Sequence, residues 1–349
     1  MLRTSDFTFD LPEELIAQAP PARREDARLM ILDRRTGATT LGRFPDLIDH
    51  LRPGDVLALN ETRVIPARLF AERPETGGRV EILLVRPGDA GTWWAMARPG
   101  RALRPGRSLA VVPGGALLSV RGSEGGLYEL AYDGDWSALL AAAGHVPLPP
   151  YIHRADTAQD RERYQTVFAR VPGAIAAPTA GLHFTPELLA AAETRGVTTA
   201  RVVLHVGPGT FKPVTVEDPH AHVLDAEWYE IPADAAARLR AARGAGGRVI
   251  AVGTTVTRTL ETGAAELDDA ARVAGEVVAA CSGWSNRLIV PPYEFRAVDA
   301  LVTNFHLPRS SLLFLVSALA GREAVLAAYH RAVDERFRFY SYGDAMFIA

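Results

Sequence analysis

A change of rhythm inside the chain constrains its fold more than any other feature. From about residue 64 to residue 146 the sequence breaks into short β-rich runs, VEILLV (80–85), TWWAMA (92–97), SLAVV (108–112), ALLSV (116–120) and LYELAY (127–132), divided by Gly and Pro turns. Several short strands at such spacing build a small barrel or sandwich. After VPLPPYIHR (146–154) the rhythm changes again, to helices alternating with strands: PELLAAAETRG, TTARVVLHV, ADAAARLRAARGAGG, RVIAVG and a helix at TRTLETGAAE. Such alternation belongs to an α/β layer. Two further strand candidates, 29–32 and 55–59, lie ahead of the β-rich stretch. If they join the same layer, the expected fold is an α/β main domain, residues 1–63 and 147–349, interrupted by an inserted barrel-like all-β domain over 64–146.

Two domains also suit a length of 349 residues. Hydrophobic content of 48% and charged content of 23% are those of an ordinary soluble globular protein. A formal net charge of −3 does not announce a nucleic-acid binder, although binding follows where charge sits rather than its sum. One cysteine, Cys281, excludes an internal disulfide and a thiolate metal cluster. Near the N-terminus Asp6, Asp10, Glu13 and Glu14 stand where a signal peptide needs an apolar core. The apolar run around 312–320 falls short of the roughly 20 residues that a membrane span requires. The expected setting is the reducing cytoplasm, away from membranes.

Four loops carry chemistry-bearing residues at the ends of strands or the starts of helices. In GAIAAPTAGLHFTPELL, Thr185 is a helix cap and Pro186 and Glu187 suit the first turn. Those features leave the small residues around Thr179 and Gly181, and His183, unexplained, and a close backbone approach to a ligand would explain them. In RVVLHVGPGTF a β-branched run ends at His205 before a Gly-Pro-Gly turn, and in open α/β sheets ligands collect just outside strand carboxyl ends. RVIAVGTTVTRTLE runs from a strand into Gly253, Thr254, Thr255 and a helix carrying Arg258 and Glu261. The free N–H groups at such a start suit a carboxylate or phosphate. It has neither the P-loop pattern nor GxGxxG, which disfavours ATP hydrolysis and NAD chemistry. In DALVTNFHLPRSSLLFLVSALAG, Ser310 or Ser311 caps a helix, and Asn304 and His306 are left over. Asp344, in the terminal FYSYGDAMFI, is the polar residue of an aromatic cluster.

The densest positive stretch is ARPGRALRPGR, with Arg98, Arg101, Arg104 and Arg107 just after Trp93 and Trp94. Solvated loop charge is the plain explanation; a phosphate backbone with unstacked bases would also ask for that pairing. His220 and His222 have no third ligand signalled nearby and are not taken as a metal pair.

Taken together, FDLPEELIAQAP, LNETRVIPARL, ERYQTVFA, APTAGLHFT, LHVGPGTFKPV, HVLDAEWYEI, VIAVGTTVTRTLE, VDALVTNFHLPRSSLLFLVSALAG and FYSYGDAMFI resemble the S-adenosylmethionine:tRNA ribosyltransferase-isomerase family of the queuosine pathway. The resemblance runs over nearly the full length, with the β-rich region matched mainly by position. This chain departs from the family pattern at Asp225, where a second histidine is usual, and at Ser285-Asn286.

The resemblance implies an α/β fold interrupted by a small β-barrel. It implies transfer and isomerisation of the ribosyl part of S-adenosylmethionine onto the 7-aminomethyl group of a 7-deazaguanine, at the wobble position of tRNAs with GUN anticodons. The implied products are epoxyqueuosine-tRNA, adenine and methionine. S-adenosylmethionine is a consumed substrate, no cofactor or metal is implied, and a monomer is the simplest expectation. The sulfonium acidifies the neighbouring C5′ proton, so a base is needed, and a histidine with a pKa near 7 suits the task. His183 and His306 are the candidates for base and proton delivery, with His205 in reserve. Thr179, Gly181, Thr254, Thr255, Arg258, Asn304 and Asp344 are the candidates for holding S-adenosylmethionine, and Arg98, Arg101, Arg104 and Arg107 for holding tRNA.

Two rivals remain at this stage. An S-adenosylmethionine-dependent tRNA methyltransferase would share both substrates but would need a Gly-rich loop after its first strand, which is missing. A non-enzymatic RNA-binding module would not need three histidine-bearing loops at strand ends.

Overall fold

The structure, a computed structural model, describes residues 2–100 and 103–349. Its larger part is a nine-stranded sheet in the order Cys281–Ser285, Glu227–Ile231, Thr198–Leu204, Val56–Asn60, Val249–Val252, Ala300–Asn304, Ala345–Ile348, Arg28–Leu32 and Thr39–Arg43. The four strands from Thr198–Leu204 to Ala300–Asn304 run parallel. Strands Val56–Asn60, Val249–Val252 and Ala300–Asn304 are buried at every position, as parallel strands covered on both faces must be. Helices Ala233–Gly244, Thr254–Ala265, Ser311–Ala320 and Arg322–Asp334 contribute to the core on one face, and Pro186–Thr194 to that on the other. The first 60 residues thus supply three strands of the sheet, Val56–Asn60 at its centre, which bears out the expected α/β layer.

After the short segment Thr62–Val64 the chain enters a closed six-stranded antiparallel barrel, in the order Leu127–Ala131, Trp93–Arg98, Arg79–Pro87, Arg68–Glu72, Ser108–Val112, Leu117–Glu124 and back. Five of these strands lie on the five runs singled out in the sequence. The sixth, Arg68–Glu72, was not foreseen: RLFAE has an equally good helical pattern, and only pairing on both sides with Arg79–Pro87 and Ser108–Val112 holds it extended. Buried residues alternate along Arg68–Glu72, Arg79–Pro87 and Ser108–Val112, as a filled small barrel requires. Helix Trp136–Ala143, capped by the Asp135 side chain, adds Leu139, Leu140 and Ala143 to the barrel core.

The passage out, Thr62–Val64, pairs in parallel with the passage back, Val171–Ala174. The barrel is therefore attached beside the carboxyl end of the central strand. Among the described residues no single helix is long and apolar enough to cross a membrane. Ser311–Ala320 and Arg322–Asp334 are apolar enough only as a pair, and they bend by 115° at Gly321.

Candidate active site

Loops leaving the carboxyl ends of the parallel strands enclose a cavity of about 550 Å³. That is the crevice where open α/β sheets bind ligands. Its wall takes Thr179 from the loop before Pro186–Thr194, Thr254 and Thr255 from the start of a helix, and Asn304 and His306 from the end of Ala300–Asn304 and its following turn. Gly253 makes the helix start possible: its φ of 102° is a conformation that side chains rarely adopt. At a helix start the first N–H groups lack intrahelical acceptors, which gives the wall a site for a carboxylate. Two wall residues, Thr255 and Asn304, also carry buried oxygens, Oγ1 and Oδ1, with no protein partner.

His306 is 8% exposed, and burial pushes its pKa down to about 3. The sequence argument asked for a base near 7. The turn that delivers the ring to the cavity also strips its water, and no carboxylate faces it to compensate. Thr303 Oγ1 and His306 Nε2 share a hydrogen bond of 2.8 Å, and the Tyr329 hydroxyl accepts from the His306 backbone N–H at 3.1 Å. Thr303 Oγ1 also donates to the Asn304 carbonyl at 3.2 Å; in that arrangement it accepts from Nε2–H and leaves Nδ1 as the free base.

The other two histidines take different places. His183 is 3% exposed and does not line the cavity. It lies behind Asn304, whose Nδ2 donates to His183 Nε2 at 3.3 Å and to the Tyr340 carbonyl at 3.0 Å. Burial lowers its pKa to about 4, with Asp344 pulling the other way. His205 lines a second, larger cavity of about 1110 Å³ between the barrel and the sheet. Its Nδ1 meets Thr62 Oγ1 at 2.7 Å, and burial lowers its pKa.

Three further candidates are not brought to the first cavity. Arg258 forms a buried ion pair with Glu227, whose other oxygen accepts from the Gly207 N–H at 2.8 Å, so its charge is already neutralised. The Asp344 carboxylate is consumed by the backbone N–H groups of Arg28 and Arg338, at 2.9 and 2.8 Å, and by the Arg338 guanidinium. Gly181 is small for packing rather than for a ligand, since a Cβ there would sit 2.8 Å from Phe168 and Thr166. In the arginine stretch, Arg107 pairs with Glu75, Arg104 is exposed, and Arg98 lines a shallow hollow beside the barrel. Arg101 lies outside the described residues.

Among the wall residues that reading the sequence missed are Tyr151, Lys212, Arg309 and Tyr340. The rings of Tyr151 and Tyr340 lie 3.9 Å apart between centroids, and Lys212 pairs with Asp225 at 2.7 Å. The signal for Tyr151 was its place at the return from the barrel; for Lys212 it was the GPGTFKP turn beyond a strand end. Among the described residues no three His, Cys, Asp or Glu side chains converge as a metal site would need.

A loop-built cavity at the carboxyl ends of a parallel sheet, with an anion-binding helix start and a neutral buried histidine, defines an α/β enzyme acting on a small molecule. The family model described as queuosine biosynthesis protein matches residues 4–348, and the chain belongs to that family. It is 49% identical over 350 residues to the S-adenosylmethionine:tRNA ribosyltransferase-isomerase of Symbiobacterium thermophilum, covering 99% of this chain and all of that one. Among solved structures it is similar to an S-adenosylmethionine tRNA ribosyltransferase from Thermotoga maritima, 38% identical, with 99% and 100% of the two chains covered and a TM-score of 0.57.

Proposed function

We propose that this enzyme transfers and isomerises the ribosyl group of S-adenosylmethionine onto the 7-aminomethyl group of 7-aminomethyl-7-deazaguanine at the wobble position of tRNA, releasing adenine and methionine. The observation that carries the reading is the first cavity, in a chain alike over its full length to a ribosyltransferase-isomerase. A volume of about 550 Å³ suits one ligand of that size.

In this reading the methionine carboxylate takes the N–H groups at Thr254 and Thr255, with Lys212 and Arg309 nearby. Tyr151 and Tyr340 offer an aromatic wall to the adenine. His306 Nδ1 removes a proton from C5′, next to the sulfonium, and the electron pair stays on that carbon as an ylide. Because burial makes the imidazolium a strong acid, the proton passes on to the adenine as its bond to C1′ breaks. The aminomethyl nitrogen bonds to C1′ and gives up a proton, and the C1′–O4′ bond breaks to leave an iminium. The C5′ electron pair then bonds to C1′, closing a five-carbon ring, and O4′ displaces methionine from C5′ as the epoxide closes. His183 acts through Asn304, fixing the amide that faces the ribose. No metal or resident cofactor takes part. Arg98, Arg101, Arg104 and Arg107 belong to the tRNA side, and the catalytic body is 1–63 with 147–349, the barrel domain being 64–146. The enzyme works as a monomer in the cytoplasm.

The test is chromatographic: protein, S-adenosylmethionine and tRNA carrying the 7-aminomethyl base should yield adenine and methionine in equal amounts. S-adenosylhomocysteine instead would mean methyl transfer and would end this reading. His306→Ala should slow adenine release by about a hundredfold or more, the usual contribution of a positioned proton carrier. A loss below about tenfold removes His306 from proton transfer.

A further inference from the structure

Four of the five tryptophans of this chain, Trp93, Trp136, Trp228 and Trp284, line the second cavity. None of the four is buried, and Trp284 is 58% exposed. They form two walls. On the sheet side, Trp228 and Trp284 are directly paired across neighbouring antiparallel strands, which sets their side chains together on one face. The His205 ring stacks on Trp228 at 5.2 Å and 22°, extending the platform toward a third strand. A Cβ on Gly173 would lie 2.6 Å from the imidazole, so glycine there lets the returning chain close over its far side. On the barrel side, Trp93 and Trp136 lie 6.3 Å apart between ring centroids. Large aromatic surfaces left half wet on two facing elements suit flat, partly polar ligands.

We propose that this slot takes unstacked nucleobases of the tRNA anticodon loop next to the reacting one, stacked on the tryptophans. The inference rests on the proposed function above and adds a binding site to it. Three observations select the occupant. At about 1110 Å³ the slot exceeds the range of a single drug-sized ligand, so it has room for more than one nucleoside. It adjoins the first cavity through Val206 and Lys212, which line both, so bases held here flank the point of ribosyl transfer. Its wall carries one cation free for a phosphate: Arg86 lies over the Trp94 ring with no carboxylate partner among the described residues, while Lys212 is paired with Asp225 and Glu227 with Arg258. Arg98 lies one hollow away, past Met96 and Pro208. Aromatic platforms with cations along the edge are how single-stranded RNA is held.

The experiment measures binding of a fluorescein-labelled anticodon stem-loop RNA with plain guanine at the wobble position, which cannot react, and separately S-adenosylmethionine binding by calorimetry. Trp284→Ala, at an exposed edge position, and Trp136→Ala should each weaken RNA binding about tenfold, the loss of one stacked base, with S-adenosylmethionine affinity unchanged. An abasic nucleotide beside the wobble position should cost wild type the same factor and cost the matching tryptophan variant nothing, as coupled partners do. RNA affinities within twofold of wild type for both variants overturn the proposal, as does a loss of S-adenosylmethionine affinity instead. Wild type that releases adenine from reactive tRNA while the variants bind RNA normally refutes the slot and leaves the enzyme reading intact. Wild type that binds no RNA refutes the slot, and if it also releases no adenine from reactive tRNA it refutes the enzyme reading with it.

Discussion

Two buried histidines make acid destabilisation the sharpest prediction of this structure. His183 and His306 have folded pKa values of about 4 and about 3, against 6.5 when unfolded, because burial disfavours the imidazolium. The unfolded chain therefore binds more protons than the folded one between those values, and stability falls as pH drops through 6.5. At pH 5.0 each histidine has lost about 1.5 units of proton-binding free energy at 1.36 kcal/mol per unit, or about 2 kcal/mol. Together they remove about 4 kcal/mol from a total that for ordinary proteins is only about 5–15 kcal/mol. Carboxylates held below their usual range, such as Asp55, lose their contribution only at more acid pH and do not enter this window. The assay is urea unfolding at pH 7.0 and pH 5.0 for wild type, His183→Asn, His306→Asn and the double variant. Wild type should lose at least about 4 kcal/mol across the interval, each single variant about 2 kcal/mol less, and the double variant only what His205 and His222, whose pKa values burial also lowers, still contribute. A double variant as acid-sensitive as wild type would show that neither ring is held neutral by the fold.

Two further substitutions probe the supports of the site. Arg258→Met strands the buried Glu227 carboxylate with the Gly207 N–H as its remaining partner, and should cost about 3–5 kcal/mol in urea unfolding. Adding Glu227→Gln should restore most of that stability. Gly253→Ala puts a side chain where φ is 102°, at a strain of about 1–3 kcal/mol; calorimetry should find S-adenosylmethionine bound at least about tenfold more weakly.

How much of this was legible in the chain depends on the range of the interactions. Local signals read well: the Thr185 cap accepts from Leu188 N–H, and Ser310 caps Ser311–Ala320, as the sequence implied. Burial at every position of the central strands was visible as unbroken apolar runs. The strand Arg68–Glu72 was hidden because only barrel closure, a long-range condition, makes it extended. The site divided in the same way. Residues delivered by a strand end or helix start, Thr254, Thr255, Asn304 and His306, reach the cavity. Arg258 and Asp344 do not, because a charge on an apolar element looks like a ligand until its partner is known, here Glu227 and Arg338. His183 failed for a similar reason: its loop points at the site, but Asn304 stands in front of it.

Those partnered charges have a consequence for the chemistry. A sulfonium and an aminomethyl group that reaches the site protonated both bring positive charge to one place, and two like charges about 6 Å apart at an effective dielectric of about 20 repel by about 3 kcal/mol. An unpaired cation on the wall would add to that. On the wall of the first cavity the cations come paired among the described residues, Lys212 with Asp225 and Arg309 with Glu217, as do Arg258 with Glu227 and Arg338 with Asp344 off the wall; the unpaired Arg86 stands at the second cavity. Asp225 is also the position that departs from the histidine usual in the resembling family. An aspartate cancels the lysine charge outright at neutral pH, whereas a histidine there would be neutral or add to it. The pairings that disqualified Arg258 and Asp344 as ligands thus fit a site that must admit a cationic substrate, and the buried, neutral His306 on the cavity wall fits a reaction that must keep water from a carbanion.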